Sequence, residues 1–235
     1  MKLRFAASVA GFALLASSLT ASAASIILGD FNVEQYVEAN PRQGQVSSSE
    51  VYSPSAVKVG GYRSLSVTNA NGRTGGTSLE SADGYLDFSN SARTSGTGTV
   101  LWDGIGSTGL GGVDLTDGGT NNALFLDVIF ADANLTLSFS VTDTAGFTST
   151  ISKTVAESLL EPTSLSFLFS DFSGSANFSS LNSISLILTG TTQGLDASID
   201  TVYAASTLPA VPLPAAGWLM VGGLAALGVM KRRKS

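Results

Sequence analysis

The chain has 235 residues, no cysteine and no histidine, 43% hydrophobic residues and a formal net charge of −6. Without histidine it holds no Ser-His-Asp triad, no Cys-His pair, no imidazole base and no histidine metal site. Carboxylate pairs, a Ser-Lys dyad or a tyrosine are the remaining routes to catalysis, and no disulfide can staple the fold.

The charge is unevenly placed. Lys2, Arg4 and Lys231 to Lys234 put six of the twelve cations in the two ends, and all eighteen acids lie between them, so the middle of the chain carries −12. That surface repels nucleic acid and anionic lipid, which argues against a nucleic-acid partner. It suits calcium or neutral sugars.

Residues 1–23 read as a secretory signal peptide. Lys2 and Arg4 give a charged start, Phe5 to Leu19 an apolar run, and Ala21-Ser22-Ala23 a small-residue site with cleavage expected after Ala23. Residues 24–206 then read as one exported domain. Strands are expected at Ile26 to Phe31, Val46 to Tyr52, Val57 to Val67, Tyr85 to Phe88, Val100 to Trp102 and Asn122 to Phe130. Alternation is clearest in Leu135 to Val141, where Leu, Phe and Val alternate with Ser and Thr, and Asp143 to Gly146 turns the chain into a hairpin partner at Phe147 to Val155. Val155 to Leu160 is expected to form one helical turn, ended by Pro162. Ser164 to Phe169, Ser183 to Thr189 and Ala197 to Tyr203 complete the set. The pattern predicts an all-β fold, an antiparallel β-sandwich of jelly-roll type.

Candidate sites lie in the loops. Gly104-Ile105-Gly106-Ser107-Thr108-Gly109 has the spacing of a dinucleotide fingerprint, but no helix follows it, so it reads as a flexible loop. Asp114, Asp117, Asn121 and Asn122 crowd one loop with the hard oxygen ligands calcium prefers. If the first and last strands lie side by side, Asp30 or Glu34 would approach Asp200, a candidate structural calcium site. Trp102, beside Asp103 and the glycine loop, is a candidate platform for a sugar ring, with Tyr36, Tyr52, Tyr62 and Tyr85 also available. Asp83 with Asp87 is a candidate acid–base pair for a glycosidase. The reading favours a domain without catalysis. Asn134-Leu135-Thr136 and Asn177-Phe178-Ser179 match the glycosylation sequon and carry little weight.

Residues 207–235 close the chain with Val211, Pro212, Leu213, Pro214 and Ala215, then an uncharged run to Met230, then Lys231, Arg232, Arg233 and Lys234. Sixteen residues from Ala215 to Met230 make a helix of about 24 Å, which crosses a bilayer with local thinning and snorkelling of the basic residues. The cations would remain cytoplasmic and leave the domain outside. This arrangement resembles the PEP-CTERM sorting signal in its Val-Pro-Leu-Pro-Ala variant. The resemblance implies recognition by an exosortase that cuts near the motif, in a bacterium that makes exopolysaccharide. The segment Gly111 to Asn122 with Phe125, Asp127 and the Asp143 hairpin, and Ser198 to Val202, also resemble the exported domain often carried by such proteins.

The expected protein is therefore exported, held at the inner membrane with its domain in the periplasm, then moved to the cell surface or beyond. There it would be a non-catalytic, structural or adhesive part of a biofilm. The alternative is a calcium-dependent carbohydrate-binding module for exopolysaccharide.

Overall fold

The computed structural model describes residues 25–39, 46–52, 59–69, 75–190 and 192–207, with the backbone path alone over 46–52. The leader with Ala21 and Ala23, the motif Val211 to Ala215 and the basic stop Lys231 to Lys234 lie outside the described residues. Among the described residues no helix is long and apolar enough to cross a membrane.

The domain is a sandwich of two antiparallel sheets, as the alternation predicted. The first sheet contains β1 (Ile26–Gly29), β2 (Gln35–Ala39), β5 (Thr77–Ala82), β6 (Tyr85–Asn90), β8 (Ala123–Ala131), β11 (Thr163–Leu168) and β14 (Asp196–Ala205). Their order is β11-β8-β14-β6-β5-β2, with β1 also paired to β14. The second sheet contains β3 (Val46–Tyr52), β4 (Tyr62–Asn69), β7 (Gly96–Trp102), β9 (Leu135–Asp143), β10 (Thr148–Thr154), β12 (Ser173–Gly174) and β13 (Leu181–Gly190). Its order is β12-β10-β9-β13-β7-β4-β3. The chain crosses repeatedly between the sheets, and its first and last strands pair, with Ile27 opposite Tyr203.

Alternation decides which side chains meet. Leu135, Leu137, Phe139 and Val141 of β9 are fully buried while Thr136, Ser138, Ser140 and Thr142 face outward. Leu124, Leu126 and Val128 of β8 and Leu86 and Phe88 of β6 answer them from the first sheet. Each such side chain contributes roughly 1.5–3 kcal/mol by leaving water. Phe139 meets Phe167 of β11 edge-to-face at 5.0 Å, joining the two sheets through one aromatic contact.

Three expectations change. β2 and β5 were not expected, because Gln35–Ala39 and Thr77–Ala82 each hold few large apolar residues and become strands by pairing with each other. β5 is joined to β6 by the two-residue turn Asp83-Gly84, with φ of 51° and 89°, the left-handed pair that suits a tight hairpin. The helical turn expected at Val155 to Leu160 is absent. That segment is irregular, with a bend at Glu157, and Leu159 exchanges two backbone hydrogen bonds with Ala131 at 3.1 and 2.8 Å. Tertiary pairing overrides the local helical preference there.

Candidate functional site: the outer faces of the sandwich

Trp102 is the first correction to the sites. It ends β7 fully buried, against Gly29, where an added Cβ would stand 3.2 Å from the indole Cζ2. Its alternation with Leu101 turns it inward, so it packs the core and presents no face to a sugar. The glycine loop beside it is a connection with a short 3-10 turn at Ile105–Ser107 and no helix after it. Gly109 N–H closes the loop on the Asp103 carbonyl at 2.6 Å.

The residues proposed for calcium separate into other roles. β1 does lie beside β14, but among the described residues no three or more acidic side chains gather as a metal group. Asp200 accepts a hydrogen bond from the Thr201 hydroxyl at 3.1 Å, and Glu34 is exposed. The charge of Asp30 acts on Arg63 of β4. That arginine is 2% exposed, donating to Gln35 Oε1, the Val33 carbonyl and the Ser81 hydroxyl. Burial lowers its pKa to about 10, against the pull of Asp30, so it stays charged at neutral pH.

The loop after Gly109 is similarly committed. The Asp114 carboxylate accepts from the Thr116 N–H and hydroxyl at 2.7 and 2.6 Å and from the Gly118 N–H at 3.1 Å. The Thr116 hydroxyl, above all, holds its pKa below the usual carboxylate range. Asp117 takes a positive φ of 47° in the turn. Asn121 donates to the Leu115 carbonyl, and Asn122 exchanges hydrogen bonds with Thr207 at 2.9 and 2.8 Å. These side chains order the loop and tie it to the end of β14.

The two outer faces differ in chemistry. On the second sheet, strands β4, β7, β13, β9 and β10 turn serine or threonine outward at nearly every position, with Leu101 and Ile187 the exceptions. The hydroxyls pair across strands, as between Ser138 and Ser152 at 2.8 Å. Glu50 of β3 holds the register position opposite Ser64 at its edge. The first sheet is acidic and aromatic instead. Its outward positions carry Tyr36, Glu38, Glu80, Tyr85, Asp87 and Asp127.

Within that face one strip stands out. Tyr36 lies opposite Glu80, and Glu80 lies opposite Asp87, placing ring and two carboxylates in one row across three strands. Tyr85, two residues before Asp87, stands in the next row. Tyr36 is 53% exposed and Tyr85 43% exposed. The Tyr36 hydroxyl donates to Glu38 at 3.2 Å. Partial burial first, then the charges of Glu38 and Glu80, raise its pKa. The other tyrosines are placed differently. Tyr62 is buried, Tyr203 stacks on Phe125 at 5.2 Å, and the Tyr52 side chain lies outside the described residues. Asp87 pairs across strands with Glu80, whereas Asp83 sits in the hairpin turn. Both Glu80 and Asp87 are exposed on an open sheet face, where solvent reaches both carboxylates.

Sequence reasoning named Tyr36 and Tyr85 among several rings and missed Glu80 and Glu38. The Asp83-Gly84 pair between alternating segments was the signal that would have given the hairpin, and with it the Glu80–Asp87 register.

No protein-family model matches the chain, and no curated protein matches it. Several solved structures align with the chain at low identity. A family 11 carbohydrate-binding module of a cellulosomal cellulase of Clostridium thermocellum aligns over 75% of this chain and 96% of its own, at 13% identity and a TM-score of 0.36. The same family's module in complex with a β-1,3-1,4-mixed-linked tetrasaccharide aligns over 75% and 98%, at 12% identity and 0.36. An exo-β-agarase aligns over 78% of this chain and 25% of its own, at 14% identity and 0.41. At TM-scores below 0.5 these likenesses define no ligand and no activity for this chain.

Proposed function

We propose that this chain is an exported, non-catalytic β-sandwich protein that holds polysaccharide on the outer face of its first sheet, as an adhesive component of the cell surface or biofilm matrix. The observation that carries the reading is the pair of exposed rings, Tyr36 and Tyr85, on a strand face beside carboxylates. A pyranose has one apolar C–H face that stacks on an aromatic ring, and hydroxyls at its rim that donate to carboxylates. Neither ring is needed by the core, which closes beneath them through Val37 and Leu86. Export rests on the leader-like residues 1–23. Sorting by an exosortase rests on the resemblance of Val211 to Ala215 with its basic stop.

Electrophoresis of the purified chain through gels containing soluble polysaccharides tests the binding. Retardation by at least one polysaccharide, reduced in the Tyr36→Ala/Tyr85→Ala variant, is expected. It should survive a chelator, since the strip recruits hydroxyl donors directly. Loss on chelation would return the role to the Asp30, Glu34 and Asp200 end of the sheet. Unaltered migration in every polysaccharide would remove the reading.

A further inference from the structure

We propose that the strip formed by Tyr36, Glu80, Asp87 and Tyr85 selects a polycationic glycan, a polymer of 2-amino sugars whose amines are free rather than acetylated. This rests on the polysaccharide reading above and adds the ligand's charge to it.

Glu80 and Asp87 stand directly opposite each other on neighbouring strands. Like charges in that relation destabilise a sheet, and an opposite charge at either position would relieve them. Among the described residues the sheet supplies none. Of the described cations, Arg63 and Lys153 belong to the second sheet and Arg93 to a loop, so none holds an outward strand position on this face. Asp127 and Asp196 continue the negative field along β8 and β14. A neutral sugar would leave this repulsion in place. An ammonium group seated between Glu80 and Asp87 satisfies both by charge-assisted hydrogen bonds, while the adjoining rings offer it cation–π contact.

The spacing fits an extended chain. Tyr36 and Tyr85 are separated by two strand intervals and one two-residue step, roughly 12 Å, comparable to the length of a disaccharide. Alternate sugar rings of the extended chain would rest on the two tyrosines, with the amine of the ring between them over the carboxylates. At longer range the −12 charge between the two ends draws a polycation and repels an anionic polymer. The outward Ser and Thr of the second sheet supply no such discrimination, which confines the preference to one side of the sandwich.

The test compares two oligosaccharides of the same β-1,4-linked backbone and length, a glucosamine hexamer and its fully N-acetylated form, by calorimetry on the whole secreted chain. The free-amine hexamer is expected to bind at least about tenfold more tightly at low salt, with the advantage shrinking as salt rises. Glu80→Gln/Asp87→Asn should erase that preference without lowering the melting temperature, because it also removes the like-charge pair. Tyr36→Ala/Tyr85→Ala should weaken both ligands. Equal or tighter binding of the acetylated hexamer overturns the inference, as does a preference that persists in the Gln/Asn variant. Failure of both hexamers with retention of gel retardation by another polysaccharide also overturns it and leaves the function standing. Failure of both hexamers together with failure of every polysaccharide removes the function as well.

Discussion

Asp143 shows how much of this fold depends on single carboxylates. Its Oδ1 accepts the N–H groups of Ala145 and Phe147, each at 2.9 Å, and its Oδ2 accepts the N–H of Asn177 at 2.9 Å. The bond from Asn177, then those from Phe147 and Ala145, hold its pKa below the usual range. A carboxyl whose folded value is depressed stabilises the fold above its unfolded value, near 4, and loses that contribution as pH falls through the folded value. Asp143→Asn is therefore expected to lower the melting temperature at pH 7, since one amide edge would present N–H groups to an N–H donor. The mutant's stability should decline less steeply on the acid side, as read from melting curves between pH 2 and 7. Trp102 makes the complementary case for an apolar residue. Trp102→Ala should cost about 3–5 kcal/mol in denaturant unfolding, and Trp102→Phe clearly less. Polysaccharide retardation of the Trp102→Phe protein should be unchanged, because the ring packs in the core between the sheets while Tyr36 lies on the outer face of the first sheet.

At the scale of elements, the open sides of the sandwich need protection. β11 is an edge strand of the first sheet, and Lys153 of β10 reaches across from the second. Its Nζ donates to the Ser166 carbonyl oxygen and lies 5.0 Å from the centre of the Phe167 ring. An edge strand left bare templates pairing with another chain, and a lysine over it blocks that approach. Lys153→Ala should cost about 1 kcal/mol in unfolding and raise the fraction of dimers and aggregates seen by light scattering. Strand legibility followed the chemistry of each segment. β9 and β10 were readable because alternating Leu, Phe and Ser flank Asp143 to Gly146, which encodes its own turn. β2 and β5 were opaque because Val37 and Leu79 are the sole large aliphatics within them, and sheet neighbours supply the rest. The Glu80–Asp87 pair was invisible for a related reason. Register is a property of two strands together, and seven residues of separation say nothing of it until the intervening turn is recognised.

At the scale of the molecule, the alternation predicted the two-sheet sandwich, and the expected jelly-roll type set its first and last strands side by side, as β1 and β14 are. It left open which outer face would bear the aromatic rings, since inward and outward sets exchange with a one-residue slip. The proposed sorting role gives a separate expectation. Deleting Ala215 onward should shift the protein from its wild-type location, measured by fractionation and blotting, and a reporter joined after Ser206 should be found outside the cytosol. An unchanged distribution would contradict membrane sorting through that segment. The position of β14 has a mechanical consequence. It is the last strand of the domain, yet it lies inside its sheet, flanked by β8 on one side and by β6 and β1 on the other. Tension applied beyond Thr207 loads it lengthwise. If the tyrosine strip on β6, β5 and β2 grips a polymer at the same moment, the load path runs through the ladder from Asp196–Ser89 to Ile199–Leu86. Those bonds resist in shear, all together, where a terminal strand at the rim would unzip singly.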